Sequence, residues 1–124
     1  MAARLPQAEW KVMELLWQQP HTLMQLVSKL EESDAWSKST VTTLVRRLTG
    51  KELIGYETNG RTKIFFPIAQ RDQIVAEQTE SFLQRAYHGS IGSLVSAMVE
   101  RADLKQEDID ELYAILRKAE EGLK

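Results

Sequence analysis

The sequence predicts a mostly α-helical fold with a small β wing: a winged helix-turn-helix domain followed by a three-helix dimerisation domain. Three observations lead to this prediction. Apolar residues recur at helical spacing through most of the chain, and Asn59-Gly60 separates two β-prone runs. Residues 70–124 carry apolar stripes that this segment is too short to bury alone. We assign residues 1–69 to the winged helix-turn-helix domain and residues 70–124 to the helical dimerisation domain.

Composition excludes several classes of site. The chain has 124 residues, of which 43% are hydrophobic and 27% charged, and it has no cysteine. Disulfides, thiolate metal sites and a cysteine nucleophile are therefore excluded. We predict no metal site, no cofactor and no enzymatic activity, because no nucleophile–base or metal-ligand constellation is visible. Neither a membrane-spanning run nor a signal-peptide core is present, which predicts a cytoplasmic protein without membrane insertion.

The first two predicted helices begin the winged helix-turn-helix domain. Residues 6–18 form a helix that is apolar on most sides, with Pro6 near its first position. The sequence breaks at residues 18–21, and Thr22 and Gln25 then have the spacing of a capping box at the start of a second helix. The order is helix, turn, helix.

Residues 37–51 are predicted to be the recognition helix, with Ser37 as its N-cap. An apolar stripe marks its core side, and the opposite side carries small hydroxyl and basic residues and no acid. Arginine can pair with a guanine edge, and threonine can donate, accept or touch a thymine methyl. The predicted DNA-contacting residues of this helix are Lys38, Ser39, Thr40, Thr42, Thr43, Arg46, Arg47 and Lys51. Lys51 has a second interpretation, as a cation at the helix C-terminus.

The wing is predicted at residues 54–67, with a type I′ turn at Asn59-Gly60. We predict that Arg61 and Lys63 contact backbone phosphates beside the groove. The alternative interpretation is that these charges protect an edge strand from pairing.

Charge is distributed unevenly along the chain. The net charge is −2, yet residues 1–70 carry nine basic and seven acidic side chains, whereas residues 71–124 carry seven and eleven. Residues 36–63 contain six basic side chains and two acidic ones. Positive charge is concentrated where the predicted groove-reading surface lies.

The last three predicted helices point to a homodimer. A partner chain would supply the other half of a core that one copy cannot complete, and two recognition helices could then read a palindrome. The predicted dimerisation residues are Phe82, Leu83, Ile91, Leu94, Val95, Met98, Val99, Ile109, Leu112, Ile115 and Leu116.

Nearly the whole chain resembles the penicillinase-repressor family, the BlaI/MecI group with its copper-responsive CopY-type relatives. The resemblance rests on AEWKVMELLW (8–17), WSKSTVTTLVRRL (36–48), LIGYETNGRTKIFFPI (53–68), and the GSIGSLVSAMVE and EDIDEL elements. It implies a cytoplasmic dimeric repressor that binds an inverted-repeat operator of double-stranded DNA and blocks transcription of resistance or homeostasis genes. It also implies a membrane-bound sensor protease as a partner.

Four features depart from the family pattern. Ala97-Met98 stands where the β-lactam-responsive members have a cleaved Asn-Phe bond, and the cysteine motif of copper-responsive members is absent. Glu52 replaces the usual glycine after the recognition helix, and Lys105 replaces a capping serine. If Glu52 adopts the left-handed conformation, we expect strain of about 1 kcal/mol.

Two other functions remain open. One is a winged-helix regulator that responds to a small ligand and releases DNA without cleavage. The other is a winged-helix adaptor that binds proteins and not DNA. A mobility shift with genomic fragments would separate the adaptor from the DNA-binding proteins.

Overall fold

The computed structural model describes residues 5–123, which form two compact units, one ending at Ser81 and the other beginning at Phe82. The elements are α1 (Gln7–Gln18), β1 (His21–Thr22), α2 (Leu23–Asp34), α3 (Lys38–Gly50), β2 (Ile54–Asn59), β3 (Thr62–Pro67), α4 (Arg71–Tyr87), α5 (Ile91–Arg101) and α6 (Gln106–Gly122). The mostly helical fold with a small wing is confirmed. The first unit extends into α4, so the domain boundary at residues 69 and 70 stays a prediction.

The core of the N-terminal unit is built from the apolar stripes of its helices and sheet. The four α3 residues at helical spacing, Val41, Leu44, Val45 and Leu48, are all buried. Helix α1 contributes Val12, Met13 and Leu16, and α4 contributes Ile74. The stripe of α3 is confirmed as its core side, which leaves the opposite side free for function.

Side-chain caps fix where α2 and α3 begin. The Thr22 hydroxyl accepts from the Gln25 N–H at 3.2 Å, and the Gln25 side chain accepts from the Thr22 N–H at 2.8 Å. The predicted capping box is therefore present. The Ser37 hydroxyl accepts from the Thr40 N–H, as predicted. Pro6 is the N-cap of α1, one position before its predicted place.

The sheet differs from the prediction in two respects. Thr62 pairs with Asn59, so the two central turn residues are Gly60 and Arg61, and only Gly60 has a positive φ. The prediction of a type I′ turn over Asn59-Gly60 is wrong; one positive φ at the first central residue is the pattern of a type II′ turn. In addition, β1 pairs with β3, which makes a three-stranded sheet in the order β1-β3-β2.

Helix α3 ends in a Schellman motif that has a glutamate at the usual glycine position. The Leu53 N–H donates to the Leu48 carbonyl, and the Glu52 N–H donates to the Thr49 carbonyl. Glu52 has φ +61°, so the expected left-handed conformation is confirmed. Buried Leu53 then leads the chain directly into β2.

Helix α1 is tied to other elements of the N-terminal unit by ion pairs. Lys11 pairs with Asp34 at the end of α2, and Glu14 pairs with Arg71 at the start of α4. The hydrogen bond from Lys11, followed by one from Ser33, lowers the pKa of Asp34. Because these pairs are partly accessible to solvent, they orient α1 more than they stabilise it.

The C-terminal unit consists of the end of α4 followed by α5 and α6. Ser90 caps α5 by accepting from the Ser93 N–H. At the start of α6 the Lys105 side chain cannot accept a bond, but the Asp108 carboxylate accepts from the Lys105 N–H at 3.1 Å. Among residues 5–123, no helix is long and apolar enough to cross a membrane.

Candidate nucleic-acid interface

The side of α3 that faces away from the core carries most of the predicted DNA-contacting residues. Five of these side chains are exposed and two are half-buried. The exposed ones are Lys38, Ser39, Thr40, Arg46 and Arg47, and the half-buried ones are Thr42 and Thr43. The Thr40 hydroxyl also lies 3.1 Å from that of the N-cap Ser37. The helix therefore presents cations and small side chains on one continuous surface.

Both threonines in the middle of α3 turn their hydroxyls toward the helix backbone. Thr42 Oγ1 donates to the Lys38 carbonyl at 2.8 Å, and Thr43 Oγ1 donates to the Ser39 carbonyl at 3.0 Å. Each hydroxyl hydrogen is thus already used within the helix. What remains for a contact outside the helix is a γ-methyl group and acceptor capacity on the oxygen.

A cleft of about 900 Å³ lies between α3, the wing and the start of α2. Three of its lining residues are cations and none is acidic. The lining residues are Thr22, Leu23, Met24, Thr42, Val45, Arg46, Thr49, Gly50, Tyr56, Arg61, Thr62, Lys63 and Phe65. Arg46 from the helix therefore shares one concave surface with Arg61 and Lys63 from the wing, which favours an anionic occupant.

Strand pairing places the wing side chains on this cleft. Tyr56 lies opposite Phe65, and their ring centroids are 5.8 Å apart. Lys63 lies two residues before Phe65 on the same face, with its ammonium 4.4 Å from the centroid of the Tyr56 ring. Glu57 is one residue out of phase with Tyr56, so it faces the other side of the wing. The alternation of the strands keeps the wing carboxylate away from the cleft.

Lys51 has a partner inside the fold. Its Nζ donates to Glu9 Oε1 at 2.7 Å, and only 1% of the Glu9 residue surface is exposed. The cation therefore compensates a buried carboxylate of α1 at the point where α3 ends. This ion pair holds the end of α3 against α1, and the DNA contact of Lys51 stays a prediction.

The eleven predicted dimerisation residues all retain some exposure. Ile91 is 66% exposed, Leu116 64% and Met98 58%. Leu83, Leu94 and Ile109 are partly buried, and no residue between 82 and 123 is buried. The Ala97-Met98 bond lies within α5, in the apolar stripe that we predict to meet a partner chain.

Three residues at the site were not predicted from the sequence. Thr49 and Tyr56 line the cleft, and Met24 of α2 is 57% exposed beside them. The helical spacing from Thr42 and Arg46 to Thr49 could have identified Thr49. Nothing local in the sequence could have identified Met24, because its place depends on how α2 packs. In residues 5–123, no group of three or more His, Asp or Glu side chains could hold a metal ion.

A family model and two sequence relatives identify one family. A family model described as "Penicillinase repressor" matches residues 5–118. The methicillin resistance regulatory protein MecI of Staphylococcus aureus strain N315 is 30% identical over 112 residues, which cover 90% of this chain and 91% of MecI. The penicillinase repressor of Bacillus licheniformis is 30% identical over 117 residues, 91% of each chain.

A solved structure shares the fold of the N-terminal unit. The solution structure of the DNA-binding domain of the repressor BlaI superimposes with a TM-score of 0.53 and 22% sequence identity. The match covers 57% of this chain and 88% of that domain. The winged-helix fold is confirmed by this likeness, and the site residues themselves stay a prediction.

Proposed function

Because the chain belongs to the penicillinase repressor family, as its motifs predicted, we propose that it represses transcription as a dimer bound to a palindromic operator. In this proposal α3 enters the major groove and the wing contacts the adjacent backbone. The regulated genes are of the resistance type, as in the relatives named above. Because it must reach this operator, we propose that the protein is cytoplasmic.

The cleft between α3 and the wing is the observation that carries this proposal. Arg46, Arg61 and Lys63 line this cleft together, and in the proposed complex Arg46 reaches a base edge or a phosphate while the other two contact the DNA backbone. The lining contains no carboxylate that would repel phosphate. A protein-binding adaptor has no need of such an arrangement, so we favour DNA as the partner.

The exposed apolar surface of α5 and α6 supports the dimer. Ile91, Met98, Val99, Ile115 and Leu116 are all exposed there, and large exposed apolar patches are typical of protein–protein interfaces. A second copy of the chain would cover it and would place two α3 helices on one side of a DNA duplex. The dimer therefore links a feature of the C-terminal unit to the reading of two half-sites.

Salt dependence tests the proposal. If each protomer neutralises about four phosphates, the logarithm of operator affinity should fall against the logarithm of salt concentration with a slope of about −7. Titrations of upstream genomic duplexes by fluorescence anisotropy, between low and physiological salt, would measure this slope. A slope near zero would rule out the proposed mode of binding.

The same cleft favours a second candidate, a regulator that also binds a small ligand. Its volume of about 900 Å³ is within the range of small-molecule sites, and Leu23, Met24 and Phe65 give it an apolar wall. A ligand there would compete with DNA. Release of bound duplex by a small anionic aromatic compound, without cleavage of the chain, would distinguish this candidate from proteolytic release by a sensor protease.

A further inference from the structure

We propose that Thr42 and Thr43 read thymine methyl groups rather than donating hydrogen bonds to base edges, which makes thymine the base that these two residues select. The inference rests on the proposed function, because it assumes that α3 enters the major groove. Threonine can donate a hydrogen bond to a base, accept one, or make an apolar contact. The inference excludes donation and selects the apolar contact.

The hydroxyl bonds of these residues carry the inference. Thr42 and Thr43 donate their hydroxyl hydrogens to carbonyls four residues earlier, at 2.8 and 3.0 Å. A hydroxyl that donates to its own helix cannot donate to adenine N7, guanine O6 or thymine O4 as well. To donate to a base, it would have to give up its bond to the helix.

The γ-methyl group of each side chain is left to meet the groove, together with a lone pair on the hydroxyl oxygen that could only accept. Both residues are half-buried, and they lie on the side of α3 opposite its buried stripe. The C5-methyl of thymine is the apolar group that a base pair presents in the major groove. A methyl-to-methyl contact needs no hydrogen bond and leaves the internal bonds of α3 intact.

Arg46 complements this readout. It lies one turn after Thr42 on the same wall of the cleft, so one side chain selects a thymine methyl and the other is free to pair with a guanine edge or a phosphate. The two preferences differ in chemistry and can be removed separately.

The test begins by selecting tight duplexes from a random pool with the wild-type, full-length protein. The enriched duplex is then synthesised twice, once with thymine and once with deoxyuridine, which lacks the C5-methyl group. We expect deoxyuridine to weaken binding by about fourfold for each methyl contact, and by at least about 16-fold when both half-sites lose one contact.

Variants assign that loss to the two threonines. The double variant Thr42→Ser and Thr43→Ser keeps the hydroxyls but removes the γ-methyls, so it should bind the thymine and deoxyuridine duplexes equally. The double variant Thr42→Val and Thr43→Val keeps a methyl on each side chain and should retain the thymine preference. Thr79→Ser is the matched control, since Thr79 makes the same hydroxyl bond, to the Val75 carbonyl at 2.8 Å, in α4.

Three results would overturn the inference. Equal wild-type binding to the two duplexes overturns the inference while leaving DNA binding intact. A thymine preference that survives in the serine double variant also overturns it, because the selectivity would then come from other residues or from DNA shape. If no duplex is enriched, the proposed function fails and the inference fails with it.

Discussion

Fifteen hydrophobic side chains are buried in the N-terminal unit, whereas none is buried between Phe82 and Leu123. Both regions are rich in apolar residues at helical spacing. The N-terminal unit closes its core because α1, α2, α3 and the sheet pack around one another. The C-terminal unit leaves its stripes open to solvent. In our proposal, one unit holds the DNA-reading surface in place and the other is completed by a partner chain.

The largest effect should follow from a charge placed in the open C-terminal stripe. Leu116→Glu introduces a carboxylate where we propose that a partner chain packs, and burying it unpaired costs several kcal/mol. We expect dimer affinity to fall by about 100-fold or more, measured by sedimentation velocity at micromolar protein.

The control is Lys118→Glu, which adds an acid at another exposed position of α6. It should change dimer affinity much less. If Leu116→Glu remains a dimer, the open stripe is not the dimer interface, and the contrast between the two units requires another explanation.

The next largest effect should follow from breaking the ion pair of Glu9, the buried carboxylate of the N-terminal unit. Lys51→Met leaves Glu9 buried without its ion-pair partner, and breaking such a pair costs about 3 kcal/mol. We expect the free energy of unfolding, from urea denaturation followed by tryptophan fluorescence, to fall by about that amount. Glu9→Gln should cost less, because the side chain of Lys51 is 33% exposed and can be hydrated.

The double variant Glu9→Leu with Lys51→Met tests whether the two side chains interact directly. With both charges removed, much of the lost stability should return. Losses that simply add would contradict a direct interaction between the two side chains.

Features that depend on neighbouring residues could be predicted from the sequence. The buried stripe of α3, the caps at Thr22 and Ser37 and the positive φ of Glu52 follow from local rules of helix structure, so they were predictable. The family and the winged-helix fold were predictable from several motifs in order.

Contacts between distant residues were not predictable in this way. The pair between Glu9 and Lys51 joins residues that are 42 positions apart. Strand β1 pairs with β3 through His21 and Phe65, and a two-residue strand leaves almost no signal in a sequence. Both features depend on the packing of the whole N-terminal unit.

Within the N-terminal unit, the helix and the wing should contribute differently to DNA binding. Arg46→Ala should weaken binding to the selected duplex by about 2 kcal/mol and random duplexes by less, if Arg46 contacts a base. Lys63→Ala should weaken binding to all duplexes about equally and reduce the salt slope by about 1. Anisotropy titrations on both duplexes would measure this. Equal losses for both variants on both duplexes would assign Arg46 to the phosphates.

The smallest expected effect is a gain of stability at the end of α3. Glu52 has φ +61°, a conformation that glycine adopts without the strain of a side chain. Glu52→Gly should therefore raise the free energy of unfolding by about 1 kcal/mol. Glu57→Gly provides the matched control, because Glu57 lies in β2 without a positive φ, and glycine there should lower stability. A loss of stability in both variants would mean that the Glu52 side chain stabilises α3 by more than its strain costs.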